Sequence, residues 1–406
     1  MKYILVIGDG MADVALERLN GRTPLEVASK PRIDSLARSS SYGTAVNCPQ
    51  GLPAGSDTAI LSIFGCDPRK YYFGRAPLEA ADQGIGVPDG SIAFRCNMAC
   101  VMPDESGKLV MQSHSAGGID GATARALIVD LLEDAEYSAA LSGAGVTIYP
   151  SDSYRHIGVQ RGTAASALEM YAPHDNLGRA IEEIMPQGSD NAETLANLVR
   201  QSVPILSRHP LNSARVAEGK LPANCVWMWA NGTSATLPSF ETRYGVRGAV
   251  ISAVPLCRGI GALQGMEVIR VEGATGELDT NYEGKAAAAL AALRRGLDFV
   301  AVHIEAPDEC THCGDLTGKI QAIERIDSRF LAPLVDAMGD ERFRLLLLSD
   351  HYTLSTDGSH GAQPVPFIIY DSHEPQVGVD SYSEAMCQPG ETIPDGTALI
   401  SKLIRH

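Results

Sequence analysis

The feature that most constrains the fold is an alternation of short apolar runs with helical patterns at both ends of the chain. The runs Lys2–Ile7 and Phe299–Ile304 read as strands, and four leucines at Leu345–Leu348 indicate a strand that is buried on both faces. Segments such as Glu283–Arg295 have helical spacing. Strands that alternate with helices predict βαβ units. We therefore expect an α/β fold whose core is a mostly parallel sheet flanked by helices.

The middle of the chain has a different pattern. The segment 92–112 reads as two strands joined by a polar, glycine-containing turn, which predicts a hairpin. Helical stretches near Thr123–Asp134 and Ala192–Leu206 follow it. We interpret residues 91–250 as a smaller α/β domain inserted into a domain made of residues 1–90 and 251–406. We expect the inserted domain to bind substrate and to close as a lid that excludes water.

Composition and charge narrow the class of protein. The 406 residues are 45% hydrophobic and 20% charged, which is typical of a soluble globular protein. A net charge of −16 without a basic run argues against a nucleic-acid partner. No apolar run approaches a transmembrane span, and nine cysteines without a framework spacing suit a reducing compartment. We expect a cytoplasmic protein without a membrane partner, and the sequence does not indicate its oligomeric state.

Side chains that bind metal ions follow several of the predicted strands. They are Asp9, Asp308, His312, Asp350, His351 and His360. The i, i+4 spacing of Asp308 and His312 places both on one face of a helical turn. Each residue alone also fits a turn, but together they would line the carboxyl edge of one sheet, where such sheets bind ligands. Three carboxylates and three imidazoles suit Mn²⁺, Zn²⁺ or Mg²⁺.

Ser56 precedes an apolar helical segment in GSDTAILSIFG. By itself it fits a helix N-cap. Together with the six candidates it provides enough ligands for two metals, a pair that promotes in-line phosphoryl displacement. A helix N-terminus favours a phosphate, and a coordinated serine hydroxyl is a nucleophile. The pair Cys310 and Cys313 spells C-x-x-C, but without a second pair a non-enzymatic zinc module is disfavoured.

A negatively charged substrate needs local cations in a protein of this net charge. The candidate cations are Arg75, Arg155, His156, His174, Arg258 and Lys285, and Asp175, the neighbour of His174, is included with them as a substrate-binding candidate. Arginine suits phosphate and carboxylate because its donors form a fork. The alternative for each of these residues is an ordinary surface ion pair.

The chain resembles the archaeal-type cofactor-independent phosphoglycerate mutases of the alkaline phosphatase superfamily over nearly its whole length. The resemblance runs through GDGMAD, GRTPLEVA, GCDPRKYYFGRAPLEA, SYRH, PHDNLG, HIEAPDECTHCGD and SDH. It implies an alkaline-phosphatase-like core and a small phosphorylated hydroxy acid as substrate. It further implies that Ser56 takes the phosphate of 3-phosphoglycerate and returns it to the other hydroxyl, without 2,3-bisphosphoglycerate.

The resemblance also implies two metal ions. It assigns Asp308, His312 and His360 to one metal, and Asp9, Ser56, Asp350 and His351 to the other. Mn²⁺ is the first expectation, with Zn²⁺, Mg²⁺ or Co²⁺ as alternatives.

Three positions, Thr311, Cys313 and Arg258, depart from the residues that are common in the family. A homoserine kinase-like phosphotransferase of the same family and a metal-dependent phosphatase therefore stay open. No nucleotide-binding loop is present, which favours the mutase over the kinase. The large insertion favours transfer over hydrolysis.

Overall fold

The computed structural model describes residues 1–162 and 167–404. It divides into two compact units, one formed by Met1–Tyr72 with Thr236–His406 and the other by Phe73–Ala235. The unit Phe73–Ala235 starts and ends earlier than the stretch 91–250 that the sequence suggests for the insertion: the crossing at 72/73 precedes residue 91, and the crossing at 235/236 precedes residue 250. The reason at the first crossing is a helix at Arg75–Asp82, whose Ala76 and Ala80 pack on strand residues of the second unit.

The strands are numbered in chain order. They are β1 Lys2–Gly8, β2 Ser40–Ala45, β3 Ile92–Pro103, β4 Leu109–Ser113, β5 Val146–Tyr149, β6 Arg155–Gln160, β7 Cys225–Thr233, β8 Gly248–Ile251, β9 Glu267–Ile269, β10 Phe299–Ile304, β11 Phe343–Leu348, β12 Tyr352–Thr353, β13 His360–Gly361, β14 Val365–Asp371 and β15 Glu391–Ile393.

The helices are numbered in the same way. They are α1 Pro24–Val27, α2 Pro31–Ala37, α3 Ser56–Ile63, α4 Pro68–Tyr71, α5 Arg75–Asp82, α6 Gly121–Glu133, α7 Ala135–Gly143, α8 Ala192–Ser207, α9 Pro210–Ala217, α10 Phe240–Tyr244, α11 Pro255–Leu263, α12 Tyr282–Arg294, α13 Ala306–His312, α14 Leu316–Arg325, α15 Ala332–Met338, α16 Glu384–Cys387 and α17 Leu399–Leu403. A π-helical segment, Ile326–Leu331, joins α14 to α15.

The first unit is built on an eight-stranded sheet in the order β15-β2-β14-β11-β1-β10-β8-β9. Pairing is parallel from β11 through β1, β10 and β8 to β9, and β14 is antiparallel to both β11 and β2. All residues of β10 and β11 are buried, as expected for strands covered on both faces. The predicted mostly parallel sheet flanked by helices is confirmed, and the carboxyl ends of β1, β10 and β11 lie side by side.

The second unit has an antiparallel sheet of five strands, in which β3 pairs with β4, β6 and β7, and β6 pairs with β5. The predicted hairpin is confirmed as β3 and β4. Helices α6 to α8 share a buried cluster with this sheet, including Leu127, Tyr137 and Leu195. No helix among the described residues combines the length and apolar character needed to cross a membrane.

Candidate active site

The carboxyl edge of the parallel sheet brings the predicted ligand residues together. Asp9 follows β1, Asp350 and His351 follow β11, and α13, which carries Asp308 and His312, follows β10. Gly10 is required in the turn after β1, because it has a φ of 62° and a side-chain Cβ there would lie 2.8 Å from Asp308 Oδ1.

One group consists of Asp308, His312 and His360, whose ligand atoms lie within 4.8 Å of one another. Asp308 Oδ2 is 3.2 Å from His312 Nε2, and Asp308 Oδ1 is 3.4 Å from His360 Nε2. The side chains of His312 and His360 are 40% and 25% exposed, so solvent reaches this group. Although burial alone would raise the pKa of Asp308, its contacts with His312 and His360 hold that pKa well below its ordinary value.

The other group surrounds Ser56 and is buried. The imidazole Nε2 of His351 lies 3.5 Å from Asp9 Oδ1 and 3.3 Å from Asp350 Oδ2. Ser56 Oγ lies 3.2 Å from the same nitrogen and 3.4 Å from Asp9 Oδ2. Asp9, Asp308 and His351 also have ligand atoms within 4.8 Å of one another, so Asp308 connects the two groups.

Two buried carboxylate oxygens in this cluster indicate where a cation fits. Asp350 Oδ1 accepts from the backbone N–H groups of Gly10 and His351, at 3.1 and 2.9 Å. Asp350 Oδ2 and Asp9 Oδ1 are buried and accept no hydrogen bond from the described residues. Burial, followed by the nearby charges of Asp350 and Asp308, raises the pKa of Asp9 well above its ordinary value. Divalent cations would supply the missing partners, so the residues present fit the two metals that the resemblance implies.

Ser56 is the first residue of α3 and does not cap it. Gly55 occupies the N-cap position, and no side chain caps this end of the helix. The hydroxyl instead points to Asp9 and His351. The capping interpretation of Ser56 is therefore wrong, and the hydroxyl lies at a helix N-terminus among ligand-type side chains.

His303, at the end of β10, was not among the predicted site residues. Its Nε2 lies 2.9 Å from Asp9 Oδ2, and its Nδ1 lies 3.1 Å from Glu305 Oε1. Burial would lower the pKa of His303, but the charge of Glu305 and the bond to Asp9 raise it well above its ordinary value. The pattern that identifies Asp9, a polar side chain at the end of an apolar strand, also applies to His303 in the motif HIE. That pattern could have predicted His303 as a site residue.

Lys285 and Arg258 occupy buried positions in the first unit. The Lys285 ammonium is fully buried, and it contacts Glu305 Oε2 at 2.8 Å and the His303 carbonyl at 2.9 Å. Arg258 is 8% exposed and donates from Nη1 to the carbonyls of Ser252 and Ala253. The contacts of Lys285 are thus a buried ion pair and a backbone carbonyl, and the substrate roles expected for Lys285 and Arg258 stay predictions.

The remaining predicted substrate residues lie in the second unit. His174 packs edge-on against Trp229 at 5.1 Å and against His114 at 5.9 Å. Burial lowers the pKa of His174; Asp175 opposes this shift, and the positive charges of Arg155, Arg95 and Arg75 add to it. These cations therefore lie close together. His156 is fully buried and accepts from the Ser151 N–H at 3.0 Å, and burial lowers its pKa to about 4.

Glu79 and Arg95, which the sequence interpretation did not select, organise this cationic cluster. Glu79 forms a two-pronged ion pair with Arg95 and accepts from Arg75 Nε at 3.1 Å. The Arg95 guanidinium lies over the Trp229 ring at 4.6 Å. Burial would raise the pKa of Glu79, but Arg95 and Arg75 lower it to about 2. The motif GRAPLEA carries Arg75 and Glu79 at i, i+4 spacing, which was the usable signal.

The sequence of this chain is similar to those of known proteins along its whole length. Residues 37–212 match the model of a family described as 2,3-bisphosphoglycerate-independent phosphoglycerate mutase. Proteins of that name from Methanosarcina barkeri and Methanothrix thermoacetophila are 44% and 43% identical to the chain, over 91% and 100% of it and 90% and 100% of their own lengths. A protein from Geobacter sulfurreducens with the same name, given as probable, is 41% identical over the full length of both chains.

Two solved structures resemble the whole chain. The PH0037 protein from Pyrococcus horikoshii has a TM-score of 0.82 and 27% identity, covering 100% of this chain and 98% of its own. A cofactor-independent phosphoglycerate mutase from Thermoplasma acidophilum has a TM-score of 0.64 and 26% identity, with 99% of each chain covered. With relatives above 40% identity along its full length, this chain belongs to the 2,3-bisphosphoglycerate-independent phosphoglycerate mutase family.

Proposed function

We propose that the chain interconverts 3-phosphoglycerate and 2-phosphoglycerate by passing the phosphoryl group through Ser56. The observation that carries this proposal is the position of Ser56 Oγ at the N-terminus of α3, 3.2 Å from His351 and 3.4 Å from Asp9. A phosphoryl group at that hydroxyl would meet the positive end of the helix dipole. The names of the full-length relatives support the same reaction.

The proposal includes two divalent metal ions, of which we favour Mn²⁺. One is held by Asp308, His312 and His360, and the other by Asp9, Ser56, Asp350 and His351. Carboxylate oxygens suit Mn²⁺ and Mg²⁺ and imidazole nitrogens suit Zn²⁺, so a mixed set favours an ion that accepts both. Bound there, the ions would lower the pKa of the Ser56 hydroxyl and offset the negative charge of the phosphoryl group.

The reaction balances without a nucleotide or a second phosphate donor. Ser56 Oγ forms a bond to phosphorus as the bond from phosphorus to the C3 oxygen of the substrate breaks. In this step Ser56 loses one proton and the C3 oxygen gains one, so the number of protons is unchanged. Glycerate then turns, and its C2 hydroxyl takes the phosphoryl group and returns a proton to Ser56. Because no external phosphate enters, 2,3-bisphosphoglycerate is not needed.

We assign substrate binding to the cationic cluster of the Phe73–Ala235 unit. Glu79 fixes the guanidinium groups of Arg75 and Arg95 there, and Arg95 lies over the Trp229 ring against which His174 packs. Arg155 lies over the ring of Tyr154. Forked donors of this kind suit the phosphate and carboxylate of a small hydroxy acid. The cytoplasm suits this enzyme because all nine cysteines are free thiols.

Product identity tests the proposal directly. Protein loaded with Mn²⁺ is incubated with 3-phosphoglycerate in one sample and with ATP and homoserine in another, and phosphorus NMR measures the products. We expect 2-phosphoglycerate in the first sample and no phosphohomoserine in the second. Phosphohomoserine alone would identify a kinase, and free phosphate alone would identify a phosphatase.

A further inference from the structure

The hydroxyl of Thr353 lies between the two groups of ligand residues. Thr353 Oγ1 donates to Asp308 Oδ1 at 2.6 Å. It also lies 3.2 Å from His351 Nδ1, whose other ring nitrogen points to Asp9, Asp350 and Ser56. With its own proton donated to Asp308, the hydroxyl oxygen accepts from His351 Nδ1, and the Tyr352 carbonyl is a second acceptor at 3.2 Å. A proton on Nδ1 leaves Nε2 unprotonated as a ligand. One hydroxyl thus contacts a residue from each group.

Thr353 itself is held by a buried ion pair. Lys319 Nζ donates to the Thr353 carbonyl at 2.6 Å and pairs with Asp13 Oδ2 at 2.9 Å. The side chains of Lys319 and Asp13 are both 0% exposed. The Thr353 N–H donates to the Ala12 carbonyl at 3.1 Å, so β12 is tied to the segment after β1. These contacts fix the backbone of Thr353 through its carbonyl and its N–H.

The backbone after β1 makes room for this arrangement. A Cβ at Gly10 would lie 2.5 Å from Thr353 Oγ1 and 2.8 Å from Asp308 Oδ1. Only glycine lets the chain pass so close to the bond between these two side chains. The close approach also leaves the Asp308 carboxylate little freedom to rotate.

We propose that Thr353 is a positioning residue that orients Asp308 in one metal group and His351 in the other, with Lys319 and Asp13 holding it in place. This inference rests on the proposed two-metal site. Fixing Asp308 Oδ1 directs Asp308 Oδ2 towards His312, and fixing His351 Nδ1 directs Nε2 towards Ser56. Groups that hydrogen-bond to metal ligands in this way typically change metal affinity by about 10- to 100-fold when they are removed.

Metal titration of the full-length protein tests the inference. Chelator-stripped wild type, Thr353→Val, Thr353→Ala and Thr353→Ser are titrated with Mn²⁺ by calorimetry, and melting temperatures are measured with and without Mn²⁺. We expect Mn²⁺ to bind about 10- to 100-fold more weakly to the valine and alanine variants and with nearly wild-type affinity to the serine variant. The valine and alanine variants both lack the hydroxyl, but alanine has the smaller side chain. If one of the two variants does not fold, the other still tests the inference.

Thr311→Val is the matched control. Thr311 is buried in α13 and donates at 2.7 Å to the Pro307 carbonyl, not to a ligand side chain. We expect this variant to lose stability without losing Mn²⁺ affinity. Wild-type affinity in Thr353→Val and Thr353→Ala, or equal weakening in Thr311→Val, would overturn the positioning role. Wild type that binds no Mn²⁺ would instead overturn the proposed function.

Discussion

Ser56 shows how the role of a single residue depends on its neighbours. Its hydroxyl contacts Asp9 and His351 and makes no capping bond, so its replacement removes chemistry and little structure. We expect Ser56→Ala to lower turnover by at least about 10³-fold with an almost unchanged melting temperature. Steady-state assays and thermal melting check both parts.

Ser62 provides the control for that experiment. It lies in the same helix, is buried, and its Oγ makes no hydrogen bond to the residues that the structure describes. We expect Ser62→Ala to keep near wild-type turnover. Substantial turnover in Ser56→Ala would rule out Ser56 as the carrier of the phosphoryl group.

Glu79 makes a prediction about pH. Its pKa falls from 4.5 to about 2 in the folded protein, so its stabilising effect is complete above pH 4.5 and is lost as the pH falls towards 2. We expect Glu79→Gln to lower the free energy of unfolding by roughly 3 kcal/mol at neutral pH, and by progressively less below pH 4.5.

Urea unfolding between pH 7 and pH 3 measures that difference through tryptophan fluorescence. Both tryptophans of the chain, Trp227 and Trp229, lie in β7 of the same unit as Glu79, so the signal reports this unit. Glu133→Gln, at an exposed position of the same unit, is the control. A Glu79→Gln difference that is constant across this pH range would contradict the ion-pair explanation.

The sequence predicted part of the site because strand ends are visible in it. Asp9, Asp308 and Asp350 each come shortly after a largely apolar strand, and parallel strands bring such positions to one edge. His303 also lies near the end of a strand, but its role depends on its contacts with Asp9, which is far away in sequence, and with Glu305, which is two residues away. Hydrophobic periodicity does not reveal such contacts. The burial of Lys285 was not predicted, because a sequence does not distinguish a buried ammonium from an exposed one.

At the scale of secondary structure elements, local patterns predicted the type of element better than the division of the chain. The predicted helix at Glu283–Arg295 corresponds to α12, Tyr282–Arg294. The crossing at 72/73 was not visible, because it depends on small residues of α5 packing against Ala93, Ile157 and Val159. The pairing of β3 with β7 joins segments that are far apart in sequence.

A buried ion pair between helix α12 and the residue that follows strand β10 makes a further prediction. Lys285 and Glu305 are 0% and 2% exposed and 2.8 Å apart. Without Lys285, the buried charge of Glu305 keeps His303, Ser252 and Ala253 as partners but loses its only contact at Oε2 among the described residues, so we expect Lys285→Met to lower the free energy of unfolding by about 3 kcal/mol. Chemical denaturation measures the loss.

Lys220 offers a surface comparison for Lys285. It pairs with Glu218 at the same distance of 2.8 Å, but both side chains are about 60% exposed. We expect Lys220→Met to change stability little, because surface ion pairs are screened by water. Equal effects of the two substitutions would contradict the buried-pair explanation.

For the whole molecule, metal loss is expected to affect stability and activity together. The buried carboxylate oxygens Asp9 Oδ1 and Asp350 Oδ2 have no hydrogen-bond partner among the described residues and destabilise the metal-free fold, and an ion that binds only the folded state raises its melting temperature. We expect chelation to abolish mutase activity and lower the melting temperature, and Mn²⁺ to restore both. In Asp350→Asn, we expect Mn²⁺ to raise the melting temperature much less than it does in the wild type.

A covalently bound phosphate is the most direct test of the central claim that the phosphoryl group passes through Ser56. Mn²⁺-loaded protein turning over 3-phosphoglycerate is quenched in acid and digested, and mass spectrometry locates the phosphate. The account predicts phosphate on the peptide that contains Ser56, and none when the substrate is omitted or in Ser56→Ala. Rapid formation of 2-phosphoglycerate with no phosphorylated peptide would contradict it, because a phosphoserine ester survives the acid quench.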